Sequence, residues 1–244
     1  MKFSPFFISL LIAVFASCAQ AAIVLPRDLS DADQRRALEI LGFGTAGKIL
    51  GNPYPLGGYS GIEVGLSSEY VPIDDLASLG STTQDKGELN YYTLTFSKGL
   101  YYNVDTQVYF TPFVQGDNVS SYGGQIRWGF YEASFFPISF SAMIQGGGAN
   151  FSNLINVTTI GADLLATVNI ENLALYFGGG RVRAIGKFIG GPGGITDNGE
   201  TTEQDSVEDH GVFGVNIRFN KFFVAFEIDR YSDSVYSGKL GMRF

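Results

Sequence analysis

The sequence predicts an all-β fold: a closed antiparallel transmembrane β-barrel of about ten strands, preceded by a short helix. Polar and apolar residues alternate in one stretch after another, and a period of two is that of a strand with one apolar and one polar face. After the first 22 residues, no apolar run reaches the roughly 20 residues that a transmembrane helix needs. The 32 glycines, 21 phenylalanines and 13 tyrosines suit closely packed strands with aromatic belts at the membrane surfaces.

Residues 1–21 have the features of a secretory signal peptide. Lys2 supplies the positive charge, an apolar stretch follows, and Ala19-Gln20-Ala21 has the A-x-A form of a cleavage site. Cleavage there removes Cys18, the only cysteine, so no disulfide framework is expected. The alternative interpretation makes Cys18 a lipidated N-terminus, for which Phe15 is an unfavourable residue three positions earlier.

The charge balance of the chain disfavours some classes of function. Without Lys2, the chain has one basic residue fewer than the 16 of the full sequence, against 24 acidic residues. Nucleic-acid binding needs basic patches, so this acidic excess disfavours a nucleic-acid partner. Secretion disfavours a cytoplasmic role.

Residues 22–58 are predicted to form a periplasmic segment ahead of the barrel, with a short amphipathic helix over 31–41 and then a linker. Ser30 is followed three residues later by Asp33, the pattern of a helix N-cap with an acidic third residue. Gly42 to Lys48 matches the G-x-x-x-x-G-K part of a phosphate-binding loop. A helix rather than a strand precedes it, and Ile49 replaces the hydroxyl residue that would bind magnesium. A glycine-rich linker is therefore the favoured interpretation.

Ten stretches after this segment alternate with the period of a strand and are long enough, at roughly 9–11 residues, to cross a membrane. An even number returns the last strand to the side of the first, which closes the barrel. The stretch 174–184 is the weakest, because glycines interrupt its pattern. Eight strands, without 174–184 and a neighbour, and twelve, with strands inside the long loops, are the alternatives. The predicted strands are residues 60–70, 89–98, 104–113, 121–131, 136–146, 158–170, 174–184, 210–219, 221–230 and 235–244.

The connections between the predicted strands alternate between long and short. The longest are about 71–88 and 185–209, whereas Glu171-Asn172 and Asn220-Lys221 are tight turns. Bacterial barrels have short periplasmic turns and longer external loops. This pattern places the N-terminus in the periplasm and the long connections outside; the short external connection 231–234 is the exception.

The last strand carries a further signal. Every second residue from Tyr236 to Phe244 is apolar or glycine, and the sequence ends on the aromatic side chain. This stretch resembles the C-terminal strand of bacterial outer-membrane β-barrel proteins. The resemblance implies an outer-membrane location in contact with lipid and lipopolysaccharide, and recognition by the barrel-assembly machinery through Tyr236, Leu240, Met242 and Phe244. The whole chain resembles uncharacterised outer-membrane barrels of predatory Gram-negative bacteria.

Many side chains predicted to face the barrel interior are charged. Buried charges persist only when paired or hydrated, so we expect either ion pairs that fill the interior or a narrow pore with a mild preference for anions. Arg218 and Glu227 lie on adjacent strands and are expected to pair. On the weak stretch, Tyr176 and Val182 are predicted to face outward. The predicted interior charges are Glu63, Arg127, Asp163, Arg181, Arg183, Arg218, Glu227, Asp229, Lys239 and Arg243.

Two further features are candidate sites. The connection 185–209 contains six acidic residues but lacks the pattern of a calcium-binding loop, so a solvated loop is favoured over a metal site. His210, the only histidine, is predicted at the outer end of the eighth strand, facing inward near Asp229. Such a pair can act as a general base, with Ser232 or Ser234 close by. Omptin proteases and lipid hydrolases, which are barrels of similar size, use a histidine in this way.

The favoured function is an integral outer-membrane barrel with a structural or surface-interaction role and at most a narrow polar lumen. No catalytic activity, cofactor or metal is expected, and the residues identify no surface partner. A small diffusion porin for mildly anionic solutes is the first alternative. A hydrolase with a site at the rim that uses His210 is the second.

Overall fold

A computed structural model of the protein describes residues 23–81, 87–112 and 119–244. The predicted signal peptide lies outside the described residues and stays a prediction. One α-helix, α1 (Asp31–Leu38), continues as a π-helical turn over Glu39–Phe43, and short 3-10 turns cover Gly58–Ser60 and Asp74–Ser78. The strands are β1 (Ile62–Pro72), β2 (Glu88–Gly99), β3 (Val104–Phe110), β4 (Val119–Glu132), β5 (Ile138–Phe151), β6 (Ile155–Ile170), β7 (Leu173–Phe188), β8 (Thr202–Phe219), β9 (Phe222–Arg230) and β10 (Ser234–Arg243).

The ten strands form one closed antiparallel barrel in which each strand pairs with its neighbours along the chain. The barrel closes where β1 pairs with β10, in a register that runs from Glu63 opposite Arg243 to Tyr70 opposite Tyr236. Closure gives the first and last strands a partner on both sides, as strands in a hydrocarbon require. The predicted fold class and the count of ten are confirmed.

The barrel has two different ends. At the turn end, the backbone of Phe244 pairs with that of Ile62 through two hydrogen bonds of 2.8 and 3.0 Å. The loop end carries the two longest connections, 73–87 and 189–201, and also the three-residue connections 152–154 and 231–233. The turn end carries the short connections 100–103, 133–137, 171–172 and 220–221.

Several strands extend further toward the loop end than predicted, and three of them do so by four residues or more. β5 continues through its three glycines to Phe151, β7 reaches Phe188, and β8 begins at Thr202. β7 and β8 pair without interruption from Phe188 opposite Thr202 to Leu173 opposite Ile217. The prediction of a loop over 185–209 is therefore wrong for residues 185–188 and 202–209, and the loop is confined to 189–201. Its acidic residues Glu203, Asp205, Glu208 and Asp209 lie on β8, and a solvated strand is as polar as a loop.

Along the middle of the barrel, apolar side chains point outward and polar ones inward, as the alternation predicts. This outer surface is the apolar band of a transmembrane barrel. Exposed aromatic residues near the turn end, among them Tyr101, Tyr102 and Phe135, match the belts found at membrane surfaces. Exposed residues of the apolar band include Leu94, Phe96, Val108, Phe110, Ile126, Trp128, Ile144, Ile160, Leu164, Phe213, Phe226 and Ile228.

The helix α1 begins where the sequence predicts. The Ser30 hydroxyl accepts a hydrogen bond from the Asp33 amide (3.3 Å), and the Asp33 carboxylate accepts one from the Ser30 amide (3.1 Å), which completes a capping box. The helix lies at the loop end, packed against the ends of β7 and β8. Leu38 of α1 and Leu41 and Phe43 of the π-helical turn are buried. They join an apolar core with Phe151, Ile155 and Phe188.

From α1, the chain runs through the barrel to the turn end. Gly42 lies against Ala184 and Val157 near the loop end. Ile49 and Leu50 reach Glu227 in the middle of β9. The chain then leaves the interior at the turn end and enters β1.

This path makes two predictions mutually exclusive, namely the periplasmic helix and the external long connections. Both follow from placing the start of β1 in the periplasm, but the preceding segment doubles back through the barrel. The helix and the long connections therefore share the loop end. None of the helices in the described ranges is both long and apolar enough to cross a membrane.

Candidate functional site

The interior segment, residues 40–57, occupies the lumen at close range. A Cβ atom on Gly44 would lie 2.6 Å from Cγ1 of Val71, and one on Gly47 would lie 2.5 Å from Oε1 of Gln145. Real Cβ contacts are longer than this. The glycine-rich linker predicted here lies inside the barrel, and its glycines let the backbone approach the inner wall.

Glu227 holds the interior segment at the middle of the barrel. Its two carboxylate oxygens accept hydrogen bonds from the consecutive amides of Ile49 (2.9 Å) and Leu50 (2.8 Å). The Tyr176 hydroxyl donates a third, at 2.6 Å. Leu50 has a φ of 42°, in the left-handed region that non-glycine residues rarely adopt. Consecutive amides that converge on one anion form the concave arrangement known as a nest.

His210 bridges two strands on the inner wall. Its Nδ1 lies 2.7 Å from Oδ1 of Asp163 on β6, and its Nε2 lies 2.8 Å from Oδ1 of Asp229 on β9. The ring stacks on Tyr231, with ring centroids 4.5 Å apart. An imidazole can donate to both carboxylates at once only in its cationic form.

The geometry of His210 does not favour the hydrolase. Asp229 is close, as the sequence predicts, but both ring nitrogens already face carboxylates and the side chain is buried. The Ser234 hydroxyl accepts a hydrogen bond from Arg230 rather than from His210 (3.0 Å). A general base needs a free nitrogen within reach of a nucleophile or water.

Two buried ion pairs fill the interior near the turn end. Arg127 on β4 contacts Asp105 on β3 at 2.9 Å, and Lys239 on β10 contacts Glu63 on β1 at 2.8 Å. Arg243 is half-buried and donates to the carbonyl oxygen of Pro55 at 2.9 Å. Buried charges of this kind are tolerated because each has a partner of opposite sign.

Polar side chains nearer the loop end also contact the interior segment. Lys48 Nζ donates to the carbonyl oxygen of Ala46 (2.8 Å) and lies 5.6 Å from the centroid of the Tyr231 ring. The Tyr91 hydroxyl lies between the carboxylate of Glu69 and the carbonyl oxygen of Gly44. A cavity of about 10 Å³ remains between the segment and the wall, lined by Gly47, Lys48, Glu69, Gln107 and Tyr109 among others. That volume holds about one water molecule.

Three predicted interior charges lie elsewhere. Arg181 and Arg183 point outward from β7 and pair with Asp209 (2.8 Å) and Asp205 on the outer face of β8. Tyr176 and Val182 point inward, so the predicted faces of β7 are reversed. The reason is that this part of the hairpin has a polar outer face and an apolar interior filled by α1. Arg218 is exposed at the turn end and does not contact Glu227, whose oxygens are taken by the interior segment and Tyr176.

The loop end is closed by residues around α1. Arg36 contacts Asp75 (2.6 Å) and Asp233 (3.0 Å), which lie on two different connections. Burial lowers the pKa of Arg36, but the hydrogen bond to Asp75 and the charge of Asp233 outweigh burial, and the pKa lies above its usual value. Gln34 contacts Thr202 at the start of β8. These contacts fasten α1 across the mouth.

Some interior residues escape the sequence reasoning although the signal is present. Asp105 shares the inward parity of Gln107 and Tyr109 on β3, and Glu69 shares that of Glu63 and Ser67 on β1. Each lies two residues from a position already assigned to the interior, so the alternation along the strand identifies both. Lys48 carries no such signal, because it lies outside every strand. Within the described ranges, no group of three or more His, Cys, Asp or Glu side chains is placed to hold a metal ion.

No protein-family model matches the sequence, and no curated protein matches it. Among solved structures, the chain is similar to the N-terminal β-barrel domain of Pseudomonas aeruginosa OprF, with 11% identity and a TM-score of 0.39 over 77% of this chain and 99% of that one. It is also similar to Ail, the attachment invasion locus protein of Yersinia pestis, with 15% identity and a TM-score of 0.31 over 75% of this chain and 97% of that one. For Neisserial surface protein A, the identity is 12% and the TM-score 0.29, over 75% of this chain and 94% of that one. At these values, the likenesses carry no functional inference.

Proposed function

We propose that the protein is an integral outer-membrane β-barrel whose lumen is sealed by its own residues 40–57, with a structural or surface-interaction role and no catalytic activity. The closed sheet and the apolar band on its outer face support the membrane location. Lipid and lipopolysaccharide would contact that band, and the barrel-assembly machinery would recognise Tyr236, Leu240, Met242 and Phe244 on the last strand.

The observation that supports a sealed lumen most strongly is the contact of Glu227 with the interior segment. Two backbone amides and one tyrosine hydroxyl meet its buried carboxylate in the middle of the barrel. A hydrogen bond to a charged group contributes about 1.5–3 kcal/mol, so three of them hold the segment against thermal displacement. A diffusion porin would need the segment to leave, and the hydrolase would need a free nitrogen on His210.

Single-channel recording in planar lipid bilayers tests this proposal. We expect the wild-type protein to insert without a steady conductance. In Glu227→Ala, the amides of Ile49 and Leu50 lose their partner, and brief openings should become more frequent. The matched control is Glu203→Gln, which changes an exposed carboxylate on β8 and should record like the wild type.

A steady ohmic conductance of the wild-type protein, with a mild anion preference, would contradict the proposal and favour the porin. Insertion is checked separately by fluorescence of Trp128, the only tryptophan, which faces outward in the apolar band.

A further inference from the structure

We propose that the N-terminal end of this chain is displayed on the outer surface of the cell, because the chain passes through its own barrel to get there. This inference rests on the proposed outer-membrane location and adds a direction to it. It assigns residues 23–39 to the external surface, together with the connections of the loop end.

The order of contacts shows a single passage through the barrel. Leu38 packs on Gly186 at the loop end of β7, Gly47 approaches Gln145 halfway along β5, and Ile49 reaches Glu227 at the middle of β9. Asn52 donates to Asn169 at 2.7 Å, near the turn end of β6. Tyr54 then donates to Glu132, the last residue of β4, at 2.9 Å. Each step along the chain is a step from the loop end toward the turn end.

The residues before α1 are fixed to the loop end. The backbone amide of Leu29 donates to the carbonyl oxygen of Ile195 at 2.7 Å, and the carbonyl oxygen of Arg27 accepts from the amide of Ser81 at 2.8 Å. The Arg27 side chain donates to the carbonyl oxygen of Gly194, also at 2.8 Å. Two connections of the loop end, 73–87 and 189–201, therefore hold this part of the chain. Val24 is 52% exposed on its surface.

Two observations place the loop end outside the cell. Bacterial barrels keep their longer loops outside, and the two longest connections of this barrel, 73–87 and 189–201, both lie at the loop end. The terminal strand also ends there, where periplasmic machinery would reach the aromatic residue Phe244. With the turn end in the periplasm, α1 and Val24 lie outside.

The consequence is a surface that no outer loop makes alone. The exposed side of α1, which includes Asp31 and Arg35, borders the connections 73–87 and 189–201. The sealing segment is thus also the route by which the N-terminal end crosses the membrane.

Cysteine labelling on intact cells tests the inference. The only natural cysteine is Cys18, so the parent chain shows the background. Single substitutions Val24→Cys, Glu200→Cys at the loop end and Asn172→Cys at the turn end are expressed in a Gram-negative host and treated with a membrane-impermeant polyethylene-glycol maleimide. We expect Val24→Cys and Glu200→Cys to be labelled on intact cells to the same extent. Asn172→Cys should be labelled at least ten-fold less until the outer membrane is permeabilised.

The arms separate the possible failures. If Glu200→Cys is labelled outside but Val24→Cys only after permeabilisation, the passage through the barrel is wrong and the proposed outer-membrane barrel stands. If Asn172→Cys is labelled on intact cells and the other two are not, the orientation is wrong and the N-terminal end is periplasmic. If all three need permeabilisation, or the chain is absent from the outer-membrane fraction, the proposed function fails as well. Each of these results overturns the external N-terminal end.

Discussion

The two halves of the barrel interior are built differently. Toward the loop end, the inner wall is apolar: Val182, Ala184 and Phe188 pack against Leu38 of α1 and Phe43 of the interior segment. Toward the turn end, the inner wall is charged, with Arg127 paired to Asp105 and Lys239 paired to Glu63. The comparison teaches that lipid determines the polarity of residues on the outer face of the strands, whereas the contents of the lumen determine the polarity of residues on the inner face.

The charged half should be the more sensitive of the two to a single substitution. Arg127→Leu leaves the carboxylate of Asp105 buried without its partner, and we expect the free energy of unfolding to fall by about 3–5 kcal/mol. Urea unfolding of the protein in lipid vesicles, followed by the fluorescence of Trp128, measures this. The double variant Arg127→Leu with Asp105→Leu should recover most of the loss, because it leaves no unpaired charge. A loss that is the same in both variants would contradict the ion pair.

The apolar half should respond as a protein core does. Leu38→Ala removes a fully buried side chain between α1 and β7, and the expected loss is about 2–5 kcal/mol, governed by the cavity left behind. Limited trypsin digestion should also cut faster at Arg35 and Arg36, since α1 loosens first. The control is Val24→Ala, an exposed apolar truncation that should change stability by less than about 0.5 kcal/mol. An equal effect of both variants would mean that α1 does not pack on the barrel.

Gly44 distinguishes a packed interior segment from a flexible linker by the sign of the effect. Gly44 has helical dihedral angles, so Ala fits its backbone, and in a linker Gly44→Ala would stabilise by about 0.4–1 kcal/mol. In the packed interior, the added Cβ meets Val71, and we expect a loss of about 1–3 kcal/mol instead. Gly211→Ala on β8 is the matched control, because its Cβ meets nothing closer than 3.9 Å. The same urea titration decides between the two signs.

The smallest effect is expected on the outer face of β7. Arg183→Ala breaks an exposed pair with Asp205, and exposed pairs contribute little to stability because water screens their charges. The effect should shrink in high salt, which screens exposed charges. A large loss of stability that is insensitive to salt would show that Arg183 faces the interior after all.

Alternation along the strands predicted all ten of them, because contact with lipid on one side imposes apolar residues at every second position. It fails on β7, where Tyr176 and Val182 point inward and Arg181 points outward. Three consecutive glycines, 178–180, carry no polarity, so the phase of the alternation is lost before Arg181. Beyond these glycines, the outer face of β7 carries ion pairs while the inner face packs on α1. Polar residues therefore lie outside and apolar residues inside, the reverse of the usual barrel pattern.

The interior segment was beyond the reach of sequence patterns for a different reason. Its contacts join residues far apart in sequence, such as Leu50 and Glu227, and backbone amides carry no signature of their partners. The sequence does not distinguish a glycine that permits close approach of the backbone from a glycine that makes a linker flexible. Only the inner wall, with Val71 and Gln145 in place, separates these two interpretations.

Amide hydrogen exchange of the protein in lipid, resolved at Ile49 and Leu50, tests the sealed lumen most directly. Both amides donate to the buried carboxylate of Glu227, so we expect them to exchange as slowly as the paired amides of β9. Exchange at the rate of an unstructured peptide, while β9 stays protected, would show that the segment does not occupy the lumen.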